Sequence, residues 1–207
     1  GERGAHNLVA EVEEKAHTFE ALRRAHFSIY TRQRIYRITG APEAPALDEG
    51  WRRAASLDEF NIRKLYNLLV PALVQQVEPA PWGERDGWVL YEGDRLLAYA
   101  DVKAGPAGVW VQPFIHPEMG ELDARMAGLL AVLKPSKRRA AYLCLRSFTT
   151  WLGPVLEDLG GEAGPAQAVM VRRLAARVHE PELSPLPELC GQSEPSSPAT
   201  LLWVERR

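Results

Sequence analysis

The sequence has few cysteines and no long apolar run. Its 207 residues include two cysteines, so at most one disulfide can form. Cys144 stands in an apolar run and Cys190 in a proline-rich tail, and we expect two reduced thiols in a cytoplasmic protein. The longest nearly apolar windows, 65–77 and 126–133, are too short to cross a bilayer, so no membrane span is predicted.

Neither sign of charge dominates. The chain carries 25 basic and 27 acidic residues, a formal net charge of −2, which gives no overall field for nucleic acid or an anionic membrane. We therefore expect neither as a partner. The five histidines and two cysteines lack the spacing of metal ligands, so no metal site is predicted.

The composition is that of a folded domain. Hydrophobic residues make up 46% and charged residues 25%, both ordinary for globular proteins. The length allows one domain, or a domain plus a fragment of another. This excludes a disordered, collagenous or coiled-coil body.

Residues 1–40 form a short first block. Residues 7–12 favour a strand, 15–25 a helix, and 27–38 one long strand or a hairpin. Residues 41–50, which contain Pro42 and Pro45, are predicted to be a linker.

Residues 51–178 form a longer second block, in the order strand, helix, three strands, helix, strand, helix, strand. A capping-box pattern at Ser56 starts the first helix, Pro71 should kink or split it, and Pro113 requires a bulge or an unpaired donor in its strand. The order predicts an α/β (mixed α+β) fold, with a central mixed sheet flanked by helices. Residues 179–207 are predicted to be a proline-rich tail, with a final strand at 200–204 as an option.

The two blocks contain a similar pattern of elements. Residues 8–38 and 141–174 both have the pattern strand, helix, strand, at a separation of roughly 135 residues. We interpret residues 1–40 as the closing portion of a first domain copy and 51–178 as a complete second copy. Coincidence between two amphipathic units is the alternative.

Three local features accompany this order. A strand ends in Ile115-His116-Pro117-Glu118, another strand covers 142–145, and the segment Leu156-Glu157-Asp158-Leu159-Gly160 precedes the last strand. Together with the element order, these features resemble the GNAT acetyltransferase superfamily. The resemblance implies a GNAT-like domain over 51–178 and acyl transfer from acetyl-CoA to an amine.

The resemblance also implies a cofactor site. In the family, a glycine-rich loop after His-Pro-Glu opens a helix whose backbone amides hold the pyrophosphate of acetyl-CoA. Here that loop is short, has one glycine, and places Glu121 and Asp123 where an anion would sit, so an ordinary helix start is the alternative. The residues implied as cofactor contacts are Phe114, Ile115, His116, Met119, Gly120 and Leu122.

The family's usual proton donor is missing. Its tyrosine in the last helix corresponds to Leu156, and to Leu22 in the partial copy, and leucine cannot donate a proton. The remaining catalytic candidates are Glu118, His116 and Tyr142, followed by Glu92 and Asp101. Each also has a structural interpretation, as a solvated carboxylate, a corner residue or a packed tyrosine.

Two functions follow from these features. The first is an acetyl-CoA-dependent N-acyltransferase with an unidentified amine acceptor and an altered pyrophosphate loop. The second is a non-catalytic structural or ligand-sensing domain of a tandem protein, favoured by the altered loop and the missing tyrosine. For either function a homodimer is an option.

Overall fold

The computed structural model describes residues 6–40, 50–81 and 87–174. The first block contains β1 (Asn7–Glu13), α1 (His17–Arg24) and β2 (Ser28–Ile38). The second block contains β3 (Trp51–Arg53), α2 (Glu59–Leu69), α3 (Ala72–Gln75), β4 (Trp88–Glu92), β5 (Arg95–Ala104), β6 (Gly108–Ile115), α4 (Leu122–Leu133), β7 (Ala140–Arg146), α5 (Gly153–Asp158) and β8 (Glu162–Arg173). Short 3-10 turns, Ser56–Asp58 and Ser147–Leu152, precede α2 and α5.

All the described strands belong to one eight-stranded sheet. Their order is β1-β8-β2-β7-β6-β5-β4-β3. Neighbours are antiparallel except β6 and β7, which are parallel. The predicted mixed sheet with flanking helices is therefore confirmed.

Successive side chains of a strand point to opposite faces, so separate apolar clusters form on the two faces of the sheet. On one face, α4 and α5 cover a cluster that includes Val111, Ile115 and Leu143. On the other, α2 and α3 cover a cluster that includes Tyr99 and Phe114. Proline cannot continue a helix, and Pro71 separates α2 from α3 as predicted.

The first block shares the sheet with the second. Residues 28–38 form one strand and not a hairpin, and this strand, β2, lies between β7 and β8. The interpretation of residues 1–40 as part of a first domain copy stays a prediction. The predicted tail, with its optional strand, and all of the predicted linker but Gly50 lie outside the described residues.

The parallel pair β6 and β7 opens at one end. Pairing runs from Gly108 with Ala140 to Val111 with Leu143 and ends there, although β6 continues to Ile115 and β7 to Arg146. We call residues 112–115 and 144–146 the β6–β7 opening. The register of β6 with β5 is continuous through Pro113, so the proline causes no bulge against β5. The backbone N–H that Pro113 lacks would face β7, where strand pairing has already ended.

Candidate active site at the β6–β7 opening

The implied cofactor residues at the end of β6 lie mostly in the core. Phe114 is buried, with its ring centroid 5.7 Å from that of Tyr66 and 6.1 Å from that of Tyr99. Ile115 and Met119 are buried in the cluster beneath α4. These side chains stabilise the opening by packing, so any cofactor contact must come from backbone groups.

Two of the backbone amides in this segment already have partners. The His116 N–H donates to the Leu97 carbonyl over 2.8 Å, and the Met119 N–H donates to the His116 carbonyl over 2.9 Å. Both bonds hold the turn that leads from β6 into α4. These two amides are therefore engaged within the protein.

The first turn of α4 offers further amides. An α-helix leaves its first N–H groups without intrahelical partners, and no described side chain caps those of α4. Gly120 and Glu121 precede the helix and are exposed, and a Cβ added at Gly120 would meet no described atom within 4 Å. The exposed carboxylates of Glu121 and Asp123 stand beside these amides. The terminus thus combines free donors with repelling charges.

The structure brings two of the catalytic candidates together through Arg95. The Arg95 guanidinium lies 2.9 Å from His116 Nε2 and 2.7 Å from Glu118 Oε2. The Glu118 N–H also donates to His116 Nδ1 over 3.1 Å. Both ring nitrogens thus face N–H donors, and a neutral imidazole can accept from only one of them.

Arg95 also makes the Glu118 carboxyl group more acidic. Its hydrogen bond and positive charge lower the pKa of the Glu118 carboxyl. A carboxylate with a lowered pKa is a weaker base. His116 and Arg95 line a cleft of about 510 Å³ beside α2, together with Glu92.

Tyr142 and Asp101 lie apart from this group. Tyr142 is half-buried and is level with Trp110 in the parallel pair, at the closed end of β7. At about 3.3 Å per residue, that is roughly 20 Å along β6 from His116. Asp101 hydrogen-bonds Tyr99 and helps to raise its pKa. The structure therefore does not bring Tyr142 or Asp101 to the α4 terminus.

A polar cluster around the buried Arg146 lies at the end of β7. It consists of Tyr30, Glu78, Arg146, Gln33 and Glu11. Arg146 donates to Glu78 Oε1 over 2.7 Å and to Gln33 Oε1, and its guanidinium is 3.8 Å from Glu11. The Tyr30 hydroxyl also donates to Glu78 Oε1. The cluster therefore holds one carboxylate oxygen of Glu78 between a cation and a phenol.

This cluster reaches across the β6–β7 opening. The Tyr66 hydroxyl donates to the backbone carbonyl of Glu78 over 2.5 Å, and the Tyr66 ring packs beside Phe114 of β6. A continuous line of contacts thus runs from Phe114 through Glu78 to Arg146. The polar cluster stands at the mouth of the opening, on the α2 and α3 face.

Burial keeps a phenol and a thiol at this cluster protonated. The Arg146 side chain is 8% exposed, and its Nε has no hydrogen-bond partner among the described residues. Burial and the neighbouring Glu78 raise the pKa of Tyr30, and burial raises the pKa of the nearby Cys144 thiol to about 12. Both groups are therefore protonated at neutral pH. Glu78 is 23% exposed and is the carboxylate of the cluster nearest to Arg146.

The sequence analysis missed Glu78, Arg146 and Tyr30. Glu78 and Arg146 are 68 positions apart, and Tyr30 and Glu78 are 48 apart. The one local signal is Arg146 itself, a charged residue at the end of an otherwise apolar strand. Leu156, at the position of the family's tyrosine, is fully buried.

Within residues 6–40, 50–81 and 87–174, no three metal-ligating side chains lie together. No described helix is long and apolar enough to cross a membrane.

Comparison with solved structures identifies the fold. A conserved protein of unknown function from Staphylococcus epidermidis ATCC 12228 superposes with a TM-score of 0.55 and 13% identity, over 83% of this chain and 74% of that one. A GCN5-related N-acetyltransferase from Kribbella flavida superposes with a TM-score of 0.51 and 15% identity, over 79% and 67%. The chain therefore has the GNAT fold.

Other comparisons add little to this assignment. A GCN5-related N-acetyltransferase from Sphaerobacter thermophilus matches with a TM-score of 0.46 and 13% identity, over 81% of this chain. This GNAT-fold chain spans 59% of the length of that protein. No protein-family model matches the sequence, and no curated protein matches it significantly.

Proposed function

We propose that this GNAT-fold chain transfers an acyl group from acetyl-CoA to an amine at the β6–β7 opening. The observation that supports the proposal is the position of Glu78. Its carboxylate is held by Arg146 and Tyr30 at the mouth of the opening, where the fold leaves two parallel strands unpaired. An amine is protonated at neutral pH and must lose a proton before it can attack a carbonyl.

The residues present fit acetyl-CoA at two places. The uncapped first turn of α4 and the exposed Gly120 offer backbone donors for its pyrophosphate. The peptide group of Ile115, beyond the last pair with β7, would hold its pantetheine arm, whereas the peptide groups of Phe114, like the N–H of His116, point to β5. When bound, acetyl-CoA supplies an acyl group activated as a thioester. Glu121 and Asp123 weaken the first of these contacts by repulsion.

The chain's own contribution to transfer is proton removal and positioning. Glu78 accepts one proton of the acceptor ammonium, because it is a partly exposed carboxylate at the opening. As the nitrogen–carbon bond forms and the carbon–sulfur bond breaks, the second proton that the nitrogen loses goes to the departing thiolate. Arg146 and Tyr30 fix one of its oxygens and leave the other for the amine. Backbone amides near the end of β6 would stabilise the negative charge that develops on the carbonyl oxygen.

A non-catalytic, ligand-sensing domain is the second candidate. The amides of His116 and Met119 are engaged within the protein, and the family's tyrosine is replaced by the buried Leu156. Both observations favour a GNAT fold that has lost the usual route of transfer. Binding of acetyl-CoA without turnover is what this candidate predicts.

Calorimetry and a thiol-release assay separate the two candidates. We expect acetyl-CoA to bind the purified chain, and amines from a mixed panel to accelerate release of its thiol. Binding without amine-dependent release would support the non-catalytic candidate. A chain that binds no acetyl-CoA at millimolar concentration would contradict the proposed transfer.

A further inference from the structure

A second cleft lies between β2, β8 and α3, away from the α4 terminus. It has a volume of about 430 Å³, enough for a small ligand. The residues that form its wall come from three parts of the chain. They are residues 26–30, which lead into β2, Leu73 of α3, and residues 171–173 at the end of β8. The cleft has a basic side, an apolar side and a buried end.

Arg173, Arg172 and His26 are among the residues that line the cleft. Side chains alternate along β8, so Arg173 lies on the same face as Val171, towards α3, whereas the Arg172 side chain lies on the opposite face. Arg173 donates to Gln76 Oε1 over 2.8 Å at the end of α3, and a guanidinium has five N–H donors, so this one bond leaves capacity for a ligand. No carboxylate is among the described residues that line the cleft, so the permanently charged Arg173 favours an anionic ligand.

The apolar side of the cleft contains Leu73 and Val171. Ile29 also lines the cleft, but its side chain packs on the opposite face of the sheet, beside Met170. Val171 is buried, and Leu73 is 51% exposed. A ligand that covered Leu73 would remove apolar surface from water. The cleft therefore suits a ligand with an apolar body as well as an anionic group.

The buried end of the cleft leads to the proposed reaction site. Tyr30 lines the cleft, and its hydroxyl donates to Glu78. A ligand with its anionic group at Arg173 and its other end at Tyr30 would point toward the Glu78 carboxylate. The cleft and the polar cluster are thus neighbours joined by one side chain.

We propose that this cleft binds the acceptor, and that the acceptor is an amine with an apolar body and an anionic group, either a carboxylate or a phosphate. The acceptor role rests on the proposed function, whereas anion binding by the cleft does not. Arg173 binds the anionic group, and Leu73 and Val171 contact the apolar body.

Calorimetry in the absence of acetyl-CoA tests the cleft separately from transfer. The probes are L-phenylalanine, L-phenylalaninamide, which lacks the carboxylate, and phenyl phosphate. We expect L-phenylalanine or phenyl phosphate to bind more tightly than the amide, and the tighter of the two identifies the preferred anion. Loss of a charge-assisted hydrogen bond in Arg173→Ala should weaken that binding on the order of tenfold.

The matched control is Arg34→Ala, which removes an exposed arginine from the same strand as Tyr30. Binding that is unchanged in Arg34→Ala and weakened in Arg173→Ala would support the proposal. Equal affinity for the amide, or equal affinity in Arg173→Ala, would overturn it. Anion binding through Arg173 without thiol release from acetyl-CoA would support the cleft and contradict the transfer function.

Discussion

The loop after β6 and the polar cluster after β7 follow neighbouring parallel strands but differ in burial. In the loop, the side chains of Arg95 and Glu118 are 56% and 68% exposed. In the cluster, those of Arg146 and Glu78 are 8% and 23% exposed. Water screens the first pair, whereas the second pair interacts in a low dielectric. The same kind of contact, an arginine with a glutamate, therefore has different consequences at the two places.

The region that resembles the family is therefore not the region whose groups are best placed for chemistry. The loop carries the residues that resemble the family, yet its carboxylate is exposed to water and two of its amides are engaged. The cluster has no sequence motif, but it contains a positioned carboxylate and a buried arginine with an unpartnered nitrogen among the described residues. Burial, more than motif, indicates where charge is available for function.

The largest effect should come from breaking each arginine contact in turn. Arg146→Met leaves the partly buried Glu78 without its cation, and we expect the free energy of unfolding to fall by about 2 to 4 kcal/mol. Arg95→Met breaks an exposed pair that water screens, and it should lower the free energy of unfolding much less. Urea denaturation of both variants measures the difference. Equal losses would contradict the contrast in burial.

Asp58 adds a third carboxylate to the comparison, one that is buried and accepts several hydrogen bonds. It accepts bonds from Arg52 over 2.6 and 2.7 Å, and from Tyr91 and the Ala55 N–H over 2.8 Å each. These bonds, with that of Arg52 the strongest, lower the pKa of Asp58 to about 2. Because Arg52 is half-exposed, we expect Asp58→Asn to lower the free energy of unfolding by only about 2 kcal/mol at neutral pH.

The pH dependence of this loss has a definite sign. A lowered folded pKa stabilises the protein above the unfolded value, near 3.9, and this stabilisation disappears as pH falls through about 2. The difference between wild type and Asp58→Asn should therefore shrink between about pH 4 and pH 2. Urea denaturation across this range measures it, and a constant difference would refute the linkage. Glu118→Gln is the exposed comparison and should show a smaller difference throughout.

The smallest effect concerns the carboxylates beside α4. Glu121→Gln or Asp123→Asn removes a negative charge next to the free amides, and each should tighten acetyl-CoA binding by roughly threefold at low salt. Calorimetry measures the affinity, and the gain should decrease as salt is added. Glu157→Gln, an exposed acid on α5, is the control and should change nothing. Unchanged affinity in the α4 variants would indicate that phosphate does not bind at this terminus.

Much of the fold could be predicted from the sequence because its signals are local. Alternating and helical apolar patterns gave the order of strands and helices, and Pro71 separated two helices as expected. No local pattern indicated that β2 lies between β7 and β8, since strand neighbours depend on contacts between distant segments. The residues that favour β structure predicted the strand itself but not the strands beside it.

The candidate site was predictable only in part, for the same reason. The loop at His116 follows a contiguous motif, so it could be located from the sequence. The contact of Arg146 with Gln33 joins residues 113 positions apart, and no spacing rule covers such a pair. The pKa of Tyr30 likewise depends on burial and on Glu78, neither of which a sequence displays.

The most direct test of the account compares two glutamates. In the thiol-release assay with acetyl-CoA and the best amine, Glu78→Gln should lower kcat/KM by about 100-fold or more, since it removes the general base while keeping the side chain's size. Glu118→Gln should change kcat/KM by less than about threefold, because an exposed carboxylate paired with arginine contributes little. A large loss in Glu118→Gln with full activity in Glu78→Gln would contradict the account and move the reaction to the loop after β6.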